Sequence, residues 1–552
     1  MTPPPHDDTL RLYGTGGVDD LDPIAGNRPS SAQLSRLYAR QLFTYTAERD
    51  LRDWRAVAPV PDLALAVPST YNAGVGASHR SYVIHLRPGV FWDTTPARPV
   101  SAHDVVRGIK RMANPVLRPP ELVYFTSTIR GMAKYCERYA ASVSAAQPDS
   151  AALRHFQDAH DIPGVFALDD TTVVFELLRP AVDFIDILAL PCAAPAPEEY
   201  DAFLPGSPQL RANLRSNGPY RLAGVQRSGG LTFVPNPVWR PEADPVRGRQ
   251  AGRIEVTFDP EDADRADLTF GPAAVRSVPP DPHDDLGWVL DPYLVLNLRS
   301  PNAGGVLRDP LVRRAVALAI DRVALRDLAA ELDPVSPVRA ADGIVPPGND
   351  GNAAGIDVAG VPGDPEGARL LLHTAGYSDG VELVAPYLDH ERDARLARRY
   401  AADLERAGFR VKLIAQSGAD YRGLLADPVR GAAGEWDIAT VSRAPDWYHG
   451  NSRVFLQSMF QSGPAGGTAN WGGYRDAEVD GLIERALDAV GPDQARLWEQ
   501  VHRRVLADTA VVPLVFRKPG GYPLGSRVSD AISLPTLGRA PDLSLVRLAS
   551  AV

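Results

Sequence analysis

The strongest constraint on this chain is an alternation of strand and helix signals. "YLVLNLRSP" (293–301) is an apolar strand. It is followed by the Asp309–Pro310 pair, a helix cap and a first-turn proline, which opens the amphipathic run "LVRRAVALAIDRVAL". The same start recurs at Asp364–Pro365, with the helix ending near Gly376. "RVKLIA" and "WDIATV" supply further strands, "QARLWEQVHRRVLAD" another helix and "VVPLVF" (511–516) the last strand. Strands separated by helices make an open sheet, so the predicted class is α/β.

The first half is more mixed. "TLRLY" alternates apolar and polar residues and reads as a strand over 9–13, and "SSAQLSRLYARQLF" has helical spacing. "YVIHLRPGVFWD" is a strand, a Pro-Gly turn and a second short strand. In "SAHDVVRGIKRMA", Ser101 as N-cap and Asp104 three residues on form a capping box. "TTVVFELLRP" is a strand, and "NGPYRLAGVQRSGGLTFVPNPVW" reads as an antiparallel hairpin.

At 552 residues the chain exceeds one core, so two or three structural units are expected. A formal charge of -10, with both signs spread along the sequence, argues against a nucleic-acid partner. No window approaches 18 uninterrupted apolar residues, so no membrane span is expected. Cys136 and Cys192 are too few for a thiolate cluster; they form one bridge or remain free, and free buried thiols are the expectation. The opening "MTPPPHDDTLRLYGTGG" shows no basic and apolar leader pattern, which leaves a removed signal or an intracellular location open.

HExxH, GxSxG and GxxxxGK[ST] are all absent. "GTGG" (14–17) lacks the lysine and spacing of a phosphate loop and reads as a turn. His103, His373 and His449 have no partner at metal-ligand spacing. "PEDADRAD" lacks the glycine and terminal glutamate of a calcium loop. No catalytic residue, metal or cofactor is implied. One stretch stands apart. "EWDIATVSRAPDW" runs from an apolar strand into Arg443 and Asp446, and on its residues alone Asp446 is a general base, a metal ligand, a clamp for a cationic ligand or a solvated turn residue.

Nine segments in order carry a resemblance: "LDP", "PDLA", "YVIHLRPGVFW", "SAHDVVRGIKRMANP", "NGPY", "NPVW", "LRDPLVRRAVALAIDR", "APDW" and "VVPLVF". Together they resemble the peptide-binding branch of the extracellular solute-binding proteins, the dipeptide and oligopeptide receptors of ABC importers. More loosely, the chain resembles the oligopeptide-binding proteins of clavulanic acid biosynthesis in actinomycetes. It departs from the family's usual Asp-Gly pair at "DTTPARPVSAHDV", where Thr94 replaces glycine.

The resemblance implies a two-lobed periplasmic-binding-protein-like fold of the class II, cluster C type, with an extra subdomain in the first lobe. Lobe I would comprise 1–52, 187–292 and 510–552, the extra subdomain 53–186 and lobe II 293–509, with 293–301 and 511–516 as the crossing strands. It also implies an extracellular monomer, anchored after removal of a signal, that binds a peptide or peptide-like molecule between closing lobes and delivers it to a membrane permease. Asp446 occupies the place of the aspartate that pairs with the ligand's α-ammonium. Ser442, Arg443 and Ala444 would form an edge pairing with the ligand backbone, and Asn27, Arg28 and Pro29 a second one.

Tyr124 matches a cleft tyrosine, with a core aromatic as the alternative. Phe270 and Gly271 stand where a ligand-lining tyrosine and asparagine usually fall. Tyr421 walls a side-chain pocket or lies on a helix surface, and Trp447 packs beneath Asp446. An arginine at 443 favours a ligand carboxylate if it faces the cleft, and is solvated otherwise. Two alternatives accompany this reading. One is a binding protein for a single amino acid, a guanidino compound or an antibiotic-pathway intermediate; the other is a hydrolase of peptides or acylated amino acids on the same scaffold.

Overall fold

The computed structural model describes residues 7–549 apart from 16, 17, 19, 26–28, 51, 52, 146, 272, 273, 275, 281–285, 353–361 and 464–468. The chain divides into two compact units, Met1–Ser277 with Gly521–Val552, and Val278–Gly520. The segment 293–509 expected as lobe II lies within the second unit. The two apolar strands expected to cross between lobes also lie inside it, and the two units divide at 277/278 and 520/521. All eight residues of Val289–Leu296 are buried, as suits a central sheet strand.

In the first unit, Thr9–Gly14 pairs in parallel with Arg253–Thr257 on one side and Leu268–Phe270 on the other. The expected hairpin, Tyr220–Val225 with Leu231–Pro235, extends this sheet antiparallel. Alternation along Thr9–Gly14 buries Leu10 and Leu12 in a core shared with Phe233, Ile254, Val256 and Phe270. A separate three-stranded antiparallel sheet joins Ser81–His85, Thr172–Glu176 and Val165–Asp169. The helix Ala102–Met112 starts where the capping box places it: the Ser101 N–H donates to Asp104 Oδ2 at 2.8 Å.

The helix expected over "SSAQLSRLYARQLF" covers only Pro29–Ser35. Every residue from 31 to 45 is buried. A segment with no solvent face loses the link between apolar spacing and helical period, so the pattern ran past the true end.

The main sheet of the second unit is antiparallel. Val289–Leu296 pairs with Ile438–Arg443 on one side and with Val511–Pro513 and Val515–Arg517 on the other, and Val338–Ala340 follows Val515–Arg517. Parallel pairing occurs between Val381–Leu388 and Phe409–Gln416, joined by the helix Glu391–Arg406. The α/β alternation therefore describes this βαβ segment, while the central sheet is antiparallel. The long helix expected after Asp309 is two helices, Pro310–Ala319 and Arg322–Leu332. Asp321 caps the second by accepting from the Ala324 N–H at 3.0 Å, a break written in the "AIDR" stretch.

Cys136 and Cys192 are buried and are not bridged by a disulfide. Among the described residues, no helix is long and apolar enough to cross a membrane, and no group of three or more acidic, His or Cys side chains could hold a metal ion.

Candidate functional site

The strand Ile438–Arg443 ends the central sheet of the second unit, with Val289–Leu296 as its only strand partner among the described residues. Its inner residues Ile438, Ala439 and Val441 are buried, whereas Ser442 and, just past the strand, Ala444 are exposed. An end strand of this kind presents main-chain donors and acceptors to whatever lies beside it. Tyr421, on the helix Gly418–Ala426, supports the strand from below. Its hydroxyl donates to the Thr440 carbonyl at 2.5 Å, and the residue is 3% exposed, so it is a buried support and not a helix-surface residue.

The partner strand is irregular between Leu290 and Tyr293, where Asp291 and Pro292 interrupt an otherwise apolar run. Proline cannot donate to the ladder, and the irregularity places it where no donor is required. Asp291 is thereby directed to an ionic cluster. It accepts from Ser442 Oγ at 2.5 Å, from Arg517 Nε at 2.7 Å and from Arg392 Nη2 at 3.2 Å. Arg517 also reaches Asp333 Oδ2 at 3.1 Å. Burial alone would raise the Asp291 carboxyl, but Arg392, Arg517 and the Ser442 hydrogen bond hold it well below the usual carboxylate range. The end of the edge strand is thus fixed through Ser442 to a buried charge cluster.

Beyond the strand, the chain turns on two left-handed residues, His449 (φ 63°) and Gly450 (φ 60°). Asn451 clamps this turn, donating to Asn349 Oδ1 at 2.7 Å and to the Trp447 carbonyl at 2.8 Å. Ser452 Oγ donates to the Asp350 carbonyl at 2.9 Å. Pro445, Trp447 and Tyr448 are buried, so the turn packs inward on its apolar side. Arg443 Nη2 sits 2.7 Å from Asp446 Oδ2, and its Nε and Nη2 donate to the Val454 carbonyl at 3.1 and 2.9 Å. The two side chains are only 15% and 8% exposed. Arg443 therefore lies folded against its own loop instead of extending into solvent.

The structure brings Ser442, Arg443, Ala444, Asp446, Trp447 and Tyr421 into one neighbourhood of the second unit. The remaining expected site residues belong to the first unit. Tyr124 lies in the short helix Leu122–Thr126 and is fully buried. Phe270 is a core residue at 2% exposure. Gly271 adopts φ +104°, and a Cβ there would lie 2.5 Å from the Thr15 carbonyl, which accounts for glycine at that position. Asn27 and Arg28 lie outside the described residues, and Pro29 opens the helix Pro29–Ser35.

Sequence reasoning missed Asp291, Arg392 and Arg517. A signal was available for the first: an Asp-Pro pair inside "VLDPYLVLNL" marks a bulge, and a bulge can re-aim a charged side chain. The two arginines come from distant segments and carried no local signal.

The sequence profile of the bacterial extracellular solute-binding proteins, family 5 (middle region), matches residues 58–466. Di/tripeptide-binding protein 4 of Pseudomonas aeruginosa is 26% identical over 472 residues, covering 80% of each chain. The dipeptide-binding protein of Escherichia coli is 24% identical over 499 residues, covering 83% of this chain and 84% of that protein. Among solved structures, the clavulanic acid biosynthesis oligopeptide binding protein 2 superimposes with a TM-score of 0.75 at 24% identity, over 98% of this chain and 95% of that one.

Proposed function

Because this chain belongs to family 5 of the bacterial extracellular solute-binding proteins, we propose that it binds a peptide or peptide-like molecule and passes it to the membrane permease of an ABC importer. The carrying observation is the accessible end of the strand Ile438–Arg443, where Ser442 and Ala444 are exposed on a backbone held in place from behind. An extended peptide adds to such an edge through main-chain hydrogen bonds, which bind it without demanding one side-chain sequence. Fixing Ser442 to Asp291 and Thr440 to Tyr421 lowers the ordering cost that association would otherwise incur.

Asp446 follows this edge and supplies the carboxylate for the peptide's amino terminus. Trp447 and Tyr448, buried behind it, hold that loop in place. The relatives named above are binding proteins for dipeptides and tripeptides, which supports a short peptide as ligand. The family consists of solute-binding proteins, not enzymes, so the ligand leaves chemically unchanged. The protein acts as a monomer on the outer side of the membrane, anchored there.

Native mass spectrometry of the full chain with a mixture of di-, tri- and tetrapeptides tests this reading. One intact peptide per chain is the expected result. Adducts of single amino acids alone, or no adduct, would overturn it.

A further inference from the structure

We infer that Arg443 is a built-in counter-ion for Asp446 that removes the requirement for a free amino terminus on the ligand. This inference rests on the reading that a peptide binds at the end strand with its amino terminus toward Asp446. The observation is the internal pair itself: Arg443 Nη2 lies 2.7 Å from Asp446 Oδ2, both side chains are largely buried, and the guanidinium is held by two further hydrogen bonds to the Val454 carbonyl.

A carboxylate buried without a cation demands one from the ligand, because leaving it unpaired is strongly unfavourable. Here the demand is met by the protein. The fork of donors holds Arg443 in one orientation, so its charge stays on Asp446 before any ligand arrives. A peptide ammonium then meets a carboxylate already neutralised. It gains less from the contact, and a peptide with a neutral amino end loses less by lacking it. The class of ligand admitted widens to include N-acylated and other amine-blocked peptides. Arg443 is in this sense a specificity-determining residue that acts through Asp446.

The test is competition between an equimolar tripeptide library and its N-acetylated counterpart for the full chain, read by native mass spectrometry. Wild type should bind the two sets within about threefold of each other, since the carboxylate is compensated in both cases. Arg443→Gln removes the resident cation and should favour free amines by roughly thirtyfold or more. Arg443→Lys keeps the charge without the fork, so its preference for free amines should fall between those of wild type and Arg443→Gln, an order that a purely structural role for the guanidinium would not give.

A wild type that rejects acetylated peptides by more than about thirtyfold overturns the inference and leaves the peptide reading intact. An Arg443→Gln protein that loses both sets equally also overturns it. Binding of neither set by wild type overturns the peptide reading and this inference together. The wild-type comparison requires no variant, so it stands even if Arg443→Gln folds poorly.

Discussion

The hydroxyl of Ser442 donates to Oδ1 of Asp291 across the last pair of strands in the second unit's sheet. That bond couples an exposed edge to a buried cluster in which Asp291 compensates Arg392 and Arg517. Asp291→Ala would leave two guanidinium groups facing one another without their shared carboxylate. The expected loss of stability is about 3–5 kcal/mol, measured as a shift of the chemical-denaturation midpoint, together with weaker peptide binding. Ser442→Ala, which leaves the ion pairs in place, should cost only about 1 kcal/mol.

His502, in the helix Gly491–Ala507, accepts the Ile344 N–H at Nε2 over 2.9 Å. Burial lowers its pKa to about 4. The folded value lies below the unfolded one, so between pH 6.5 and 4 the unfolded chain takes up a proton that the folded protein refuses. Stability therefore falls as pH drops through that window, by about 3 kcal/mol, and levels off below it. His502→Gln retains an acceptor without the titration. The stability difference between wild type and this variant, followed from pH 7 to 4, should shrink or reverse by that amount.

Asp186 in the first unit behaves in the opposite sense. Burial raises its pKa to about 7, against the lowering effect of the Tyr45 hydroxyl, which donates to Oδ1 at 2.7 Å. The folded protein keeps a proton that the unfolded chain releases above its ordinary carboxyl range. Stability from this group is present at acid pH and lost as pH rises from about 4 toward 7, an effect of about 4 kcal/mol. Asp186→Asn should abolish that loss, and calorimetry of the two proteins at pH 5 and pH 8 would show it as a gain that is larger at the higher pH.

Both thiols are buried, and burial pushes Cys136 up to about 11. Because alkylation proceeds through the thiolate, iodoacetamide should leave the native protein unmodified near neutral pH and add twice after denaturation without reductant. No addition in denaturant would show a bridge, since the chain has only these two cysteines.

Features written in local chemistry were legible in the sequence. Asp309 and Asp364 cap the helices that their Asp-Pro pairs announced, accepting from the Leu311 and Gly367 N–H groups at 2.8 Å each. The hairpin 220–235 and the strand at residue 9 follow from alternation and turn residues. What depended on tertiary packing was hidden. Tyr421 is buried because the Thr440 carbonyl lies above it, and no helical period records that. The strand expected to begin at Tyr293 begins at Val289, since Asp291-Pro292 reads as a turn until arginines from two other segments are known to surround the carboxylate. On sequence alone Arg443 faces either ligand or solvent; its partner three residues on and the Val454 carbonyl emerge only when the loop is folded.

The most direct test of the central claim is amide hydrogen exchange across residues 438–446, with and without a saturating tripeptide mixture. Strong new protection is expected at alternate amides of this stretch, those that point away from Val289–Leu296 toward the open edge where the ligand backbone adds. Unchanged exchange there in a protein that binds the peptides would contradict it.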